Sequence, residues 1–250
     1  VTEKLRRPDG GTIAYSRLPG RSPGVVFLHG LSSDMASRKA LVVEDLCRRQ
    51  GRSFLRYDAS SHGASSGEWL EMTVSRWVED ALLVLDTLTP GPQVLVGSSL
   101  GGWIALLAAL SRPQQVAGLV LTSVAADFTE DVIWAGLTEE RRRLLMAQGR
   151  IDLPGWGPDA PPYPVGWPLI EDGRRHLLLR GAIAVTCPVR LIHGQRDPDN
   201  PWSTSLKVME CLAGKDVEAI LVKSGDDRLW TAGDLRRLER VVEDLLSDLG

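Results

Sequence analysis

The sequence predicts an α/β fold in which a mostly parallel sheet is covered by helices on both faces. Three observations carry that prediction. Short, wholly apolar runs recur along the chain, stripes at the 3.6-residue period lie between them, and the alternation continues over almost the whole length.

In chain order, Thr12–Leu18 reads as a strand hairpinned to the segment Thr2–Arg7 through Pro8-Asp9-Gly10-Gly11. Val25–Leu28 has the continuous apolar character that a buried parallel strand needs. Ser53–Tyr57, Val94–Val96, Val116–Leu121, Val189–Ile192 and Val217–Val222 repeat it, for eight strands in all with the first pair antiparallel. Trp77, Ala81, Val84, Leu85 and Leu88 form one helical stripe. Leu235, Leu238, Val242, Leu245, Leu246 and Leu249 form the last.

Residues 126–184 break the alternation, so the expected core is residues 1–125 with 185–250, and 126–184 is an expected helical cap insertion. No strand is expected there. Helical patterns cover Thr138–Gln148, with Thr138 as N-cap before Glu139 and Glu140, and Leu169–Gly181. Leu153–Pro168 carries six prolines with Trp156, Tyr163 and Trp167. That is too much proline for regular structure and too many rings for a linker, which suggests an ordered cap with something to cover.

Composition narrows the function. With 250 residues, 43% hydrophobic and 24% charged, the chain reads as one globular domain. A net charge of −3 gives no reason to expect nucleic acid or an anionic membrane as partner. Arg141-Arg142-Arg143, beside Glu139 and Glu140, reads as a solvated helix face. No stretch has the length and apolarity of a signal core or a membrane span. Cys47, Cys187 and Cys211 are too scattered for a disulfide framework or a zinc site, and read as reduced thiols in a cytoplasmic setting. Oligomeric state is not legible.

The strongest motif is Gly97-Ser98-Ser99-Leu100-Gly101, directly after the strand Val94–Val96 and directly before a helix whose inward face is Leu100, Trp103, Ile104 and Leu107. A serine at such a turn is exposed at the carboxyl edge of the sheet. Its flanking glycines relieve collisions in a cramped bend, and the helix amino end favours a developing oxyanion. The glycine spacing of a phosphate loop is present, but Trp103 stands where the lysine must be. No G-x-G-x-x-G follows a strand, so no nucleotide cofactor is expected, nor any other.

Three further positions extend this chemistry. His29-Gly30-Leu31 closes the strand Val25–Leu28. The N–H groups of Leu31 and Leu100 would form the oxyanion hole, leaving His29 a structural role. Asp197 follows the strand Val189–Ile192, where the acid of a Ser…Asp…His order belongs. A histidine should follow the last strand, but none occurs beyond His193, and Lys223–Leu229 offers Asp227 instead.

These marks resemble the α/β-hydrolase family over nearly the full length. They are similar, more narrowly, to the mitochondrial α/β-hydrolases that remove palmitoyl groups from protein cysteines and cleave acyl glucuronides, and to their bacterial relatives. The resemblance rests on Gly97–Trp103, on His193-Gly194 with Asp197, on Pro201-Trp202, and on Asp226-x-Arg228. It implies the α/β-hydrolase fold, and catalysis by Ser99, Asp197 and the residue at position 227. Asp227 occupies the position of that subfamily's catalytic histidine. Ala59 stands where an aromatic is usual, and Asn200 where valine is usual. Such departures, gathered at one pocket, suggest a redesigned or inactivated site. The expected pocket draws on Trp103, Trp156, Trp167, Trp202, Ala59 and Asn200, and its tryptophans favour a hydrophobic acyl ester or thioester as substrate.

Aspartate is a poor substitute for histidine as base. Its ordinary pKa is about 3.9 against about 6.5, although a second carboxylate nearby should raise it. Losing a triad histidine costs on the order of a million-fold in a well-studied protease, so ester hydrolysis is expected to be severely impaired. His62 lies on a loop at the right edge but reads as a turn residue; His193 and His176 do not read as bases. A metal site built from His62, Asp197 and Asp227 follows no known ligand spacing. Three readings stand: a serine esterase or thioesterase scaffold, a catalyst using Asp227 as general base for proton abstraction, and a non-catalytic binding protein.

Overall fold

The computed structural model describes residues 1–155 and 161–250. Ten strands are formed among them: β1 (Glu3–Arg6), β2 (Thr12–Leu18), β3 (Arg21–Leu28), β4 (Arg52–Tyr57), β5 (Gln93–Ser98), β6 (Val116–Thr122), β7 (Arg150–Leu153), β8 (Tyr163–Gly166), β9 (Val189–Gly194) and β10 (Val217–Val222). Eight make one sheet in the order β1-β2-β4-β3-β5-β6-β9-β10. The β1–β2 and β2–β4 pairings are antiparallel and the rest parallel. The expected eight-stranded, mostly parallel sheet is present.

Helices cover both faces because side chains alternate along each central strand. Val25 and Phe27 of β3 and Val94 and Val96 of β5 point toward α1 (Arg38–Gln50) and α7 (Ala232–Asp248). Val26, Leu28 and Leu95 point the other way, toward α2 (Val74–Leu88) and α3 (Leu100–Ser111). Each such buried side chain stabilises the fold by about 1.5–3 kcal/mol. Helix ends follow from local chemistry. Ser37 caps α1 through Ala40, Gly51 closes it in the left-handed region at φ 64°, and Thr231 with Asp234 forms a capping box on α7.

The insertion differs from expectation in two respects. β7 and β8 form an antiparallel hairpin, with Asp152 opposite Pro164. Proline is tolerated there because a two-stranded ribbon has only edges, and a missing N–H can face outward. The helix α4 (Glu139–Gln148) has Thr138 as its N-cap as expected. A π-helical turn occupies Thr129–Trp134. The second expected helix is shorter: α5 (Trp167–Gly173) passes into a 3-10 turn at Arg174–His176. The insertion shares the hydrophobic cluster of α2 and α3 through Leu145, Ile151, Val165, Leu169 and Ile170. It is tied there by Trp69 Nε1–H to the Pro164 carbonyl (2.7 Å) and by Ser75 to Asp172 (2.7 Å). The remaining helix, α6 (Ser203–Cys211), packs against β9 and β10. All three cysteines are free thiols. No described helix is long and apolar enough to cross a membrane.

This topology selects a place for a site. The chain steps from β3 to β4 on one side and from β5 to β6 on the other, so the strand order reverses between β3 and β5. Open α/β sheets bind ligands beyond the strand carboxyl ends at such a point. His29 follows β3 there, and Ser99 follows β5.

Candidate active site

Ser99 is held in a conformation that serine rarely adopts, φ 53° and ψ −117°, at the junction of β5 and α3. Such a residue costs on the order of 1–3 kcal/mol and persists only where its surroundings enforce it. They do. Ser99 N–H donates to the Thr122 carbonyl (2.8 Å), and its own carbonyl accepts from Gly102 (2.9 Å) and Ala125 (3.1 Å). A Cβ at Gly101 would lie 2.2 Å from the Leu28 carbonyl oxygen, and one at Gly97 2.6 Å from Gly102 Cα. The turn can be this tight only with glycine at both positions.

A cavity of about 540 Å³ opens over this turn. Ser99, Leu100, Leu31, Asp197, Asp227 and Asn200 all line it, so the structure brings six of the sequence-predicted residues together. Leu100 is the first residue of α3, where a backbone N–H has no partner inside the helix. Ala59 lines a smaller apolar cavity, with His29, Gly30 and Gly101.

The tryptophans are placed differently. Trp103 is fully buried in the core on the inward face of α3, and its Nε1–H ties the insertion down through the His176 carbonyl (3.1 Å). Trp167 packs on Trp134, ring centroids 5.7 Å apart, and Trp202 caps α6; none of these three is on the cavity wall. The rings of Trp103 and Trp167 instead pack against and within the insertion, and Trp103 does so because a helix's inward stripe faces the core and not the sheet edge. Trp156 lies outside the described residues. Among the described residues of 126–184, only Phe128 lines the cavity.

Every histidine is already engaged. His29 donates from Nδ1 to the Gly30 carbonyl (2.8 Å) and accepts at Nε2 from Ala59 N–H (3.0 Å). His62 donates from Nδ1 to the Ser60 carbonyl (3.1 Å) and accepts at Nε2 from Ser32 N–H (3.3 Å). Burial pushes His62 down to about 4 and lowers His29 as well. His193 faces the Asn200 carbonyl (3.1 Å) and Asp197 (3.2 Å) through Nε2, which must therefore carry the proton, and Ser205 Oγ (2.7 Å) through Nδ1. His176 is bonded to Ser75 and does not line the cavity. None can replace a missing base.

Asp197 is held through both of its carboxylate oxygens. One oxygen accepts from the backbone of Asp199 (3.0 Å) and Asn200 (2.8 Å), and the other faces His193. Asp227 projects from the loop after β10, where Asp226 shapes the turn by accepting from Arg228 N–H (3.2 Å) and Leu229 N–H (3.0 Å). That loop packs on β9 because position 194 is glycine: a Cβ there would lie 2.4 Å from the Gly225 and Asp226 carbonyl oxygens. Burial first, then the charges of Asp197 and Asp226, raise the Asp227 carboxyl above its ordinary value.

Asp199, Lys39, Arg38 and Trp230 also line the cavity and escape sequence reasoning. Asp199 is pushed up to about 6 by burial and by the charges of Asp227 and Asp197. Lys39 donates from Nζ to the Arg228 carbonyl (2.7 Å), and burial pushes it down to about 8 against the pull of Asp227, Asp226, Asp197 and Asp234. Arg38 and Arg228 stack on Trp230, their guanidinium carbons 4.8 and 4.5 Å from the ring centroid. The Asp-x-Asp spacing of 197 and 199 was a readable signal. Arg38 and Lys39 offered none, because they reach the site through the packing of α1 beside the last loop. No group of acidic, histidine or cysteine side chains among the described residues is arranged to hold a metal ion.

A fold that sets a strained serine at the switch point of such a sheet defines a hydrolase class. The chain belongs to the alpha/beta hydrolase family, whose model matches residues 25–247. It is 38% identical over 245 residues to human palmitoyl-protein thioesterase ABHD10, mitochondrial, covering 98% of this chain and 80% of that protein. The structure of mouse alpha/beta hydrolase domain-containing protein 10 superposes with a TM-score of 0.92 at 37% identity, covering all of both chains. A putative hydrolase from Agrobacterium vitis S4 gives 0.93 at 36% identity, covering 98% of each.

Proposed function

We propose that this chain is an acyl thioesterase or carboxylic esterase with Ser99 as nucleophile and Leu31 and Leu100 as oxyanion donors. The observation that carries the proposal is the single cavity shared by Ser99, Leu31, Leu100, Asp197 and Asp227. Attack by Ser99 on an acyl carbon gives an acyl-enzyme, which water then hydrolyses. The similarity to a palmitoyl-protein thioesterase supports a thioester or ester of an apolar acyl group as substrate, with residues 126–184 as the cap beside the cavity. Because Asp227 stands where a base is needed and no histidine is free, turnover is slow.

Short acyl thioesters and p-nitrophenyl esters, with intact-mass detection of a fluorophosphonate adduct, test this reading. The expected result is slow turnover and an adduct, both abolished by Ser99→Ala. Turnover unchanged in Ser99→Ala contradicts it. The raised carboxyl of Asp227 favours a second reading, in which Asp227 abstracts a proton from substrate carbon. In that case activity survives Ser99→Ala and is lost in Asp227→Asn.

A further inference from the structure

We propose, resting on the esterase reading, that the mouth of the cavity binds a phosphate carried by the substrate's leaving group. Arg38 and Arg228 are the residues that would hold it.

Charge is sorted by depth in this cavity. Its lining carboxylates are Asp34, Asp197, Asp199 and Asp227, and its lining cations are Arg38, Lys39 and Arg228. The Asp197 side chain is buried, and Asp199 and Asp227 are half-buried. Arg38, Arg228 and Trp230 are exposed, so they form the mouth. Asp34 is exposed as well, but it accepts from Ala36 N–H (2.7 Å) and shapes its own turn. An anion drawn deep into the cavity would meet the inner carboxylates, whereas at the mouth it meets the guanidiniums.

Both guanidiniums are held in place and both are available. Their central carbons lie 4.8 and 4.5 Å from the centroid of the one Trp230 ring. Stacking occupies the guanidinium faces and leaves the in-plane N–H edges for an oxyanion. Neither side chain donates a hydrogen bond among the described residues. The carboxylate closest to either is Asp227, 3.9 Å from Arg228 Nε. The bond from Lys39 Nζ to the Arg228 carbonyl (2.7 Å) ties the start of α1 to the loop after β10, which keeps the two arginines on one ring. Ser37, Arg38 and Lys39 at the amino end of α1 belong to the same wall, and the helix's partial positive charge adds to theirs.

This arrangement selects the ligand. One guanidinium satisfies a carboxylate in a forked pair, whereas a phosphate has oxygens enough for both guanidiniums and the helix end. The acyl group is apolar on the esterase reading, so the phosphate belongs on the alcohol or thiol that leaves.

Two pairs of butanoyl thioesters test this, the members of each pair differing by one phosphate. The short pair uses 2-mercaptoethyl phosphate and 2-mercaptoethanol as the thiol, and the long pair uses 4′-phosphopantetheine and pantetheine. The pair that responds shows how far from Ser99 the phosphate is held. At low salt, kcat/KM of the parent should favour the phosphorylated member of at least one pair by about tenfold. That advantage should fall toward unity in about 0.5 M salt. The double variant Arg38→Gln, Arg228→Gln changes only exposed side chains, so it should keep its thermal melt and lose the preference. No preference in either pair overturns the proposal, as does a preference that persists in the double variant. Calorimetric titration of the same thioesters into Ser99→Ala separates the two readings. Tighter binding of a phosphorylated member, with no turnover of any thioester by the parent, breaks the esterase reading and leaves the phosphate site standing. Equal binding there, with turnover by the parent, breaks the phosphate site alone.

Discussion

The two halves of the cavity are built on opposite principles. On the nucleophile side, the ends of β3 and β5 meet with almost no free volume, and backbone hydrogen bonds and glycine contacts fix Ser99 in one strained geometry. On the other side, the loops after β9 and β10 and the start of α1 gather carboxylates and one amine, where burial and neighbouring charges raise Asp199 and Asp227 and burial lowers Lys39. The first half is specified by shape and tolerates little change. The second is specified by charge, so it can be rewritten by single substitutions while the fold stands.

The largest break in that comparison is expected at Gly101. Gly101→Ala drives a Cβ into the Leu28 and His29 carbonyl oxygens, at 2.2 and 2.5 Å, and neither backbone can yield cheaply. Denaturant unfolding should show a loss of roughly 3 kcal/mol or more. Substitutions on the charged side should cost far less.

Ser99→Gly should separate strain from chemistry. Glycine accepts φ 53° readily, so the variant should gain about 1 kcal/mol of stability while losing all labelling. Ser99→Ala should lose labelling without that gain.

Asp199→Asn probes the charged half. The folded carboxyl sits at about 6, above its unfolded value, so the native state binds more protons between those values. Its contribution is fully present below the unfolded pKa and is lost as pH rises through about 6. At pH 7.5 the asparagine variant should therefore melt about 2–4 °C higher, the equivalent of roughly 1 kcal/mol, and the gain should vanish near pH 4. Lys39 has the opposite sense: its folded value of about 8 lies below the unfolded one, so the stability it costs is recovered as pH climbs past 8. The smallest effect is expected from Trp230→Ala. It removes the ring between Arg38 and Arg228 at an exposed site and should cost about 0.5–1 kcal/mol.

What the residues disclose in advance divides along the same line. The alternating apolar runs of β3, β5, β6 and β9, and the glycines about Ser99, are local patterns with one structural solution, and they could be read directly. Asp197 and Asp227 were found by order along the chain. Lys39 was not, because it belongs to a polar helix start that nothing local distinguishes, and only the docking of α1 beside the last loop brings it to the cavity wall. Trp103 was misplaced because a ring four residues from Ser99 in sequence can face the core in space. The β7–β8 hairpin was hidden by its prolines, which forbid a central strand but not a two-stranded edge.

Asp227→His measures the central claim most directly. Both halves of the site are kept, and an imidazole is placed on the loop after β10, beside Asp197 and within the cavity of Ser99. Short-acyl thioester turnover and fluorophosphonate labelling should both rise by about 10²–10⁴-fold over the parent, the scale of a positioned general base, and both should vanish on adding Ser99→Ala. Unchanged turnover in a folded Asp227→His protein would show that the nucleophile side is not poised for acyl transfer, and the account would fail.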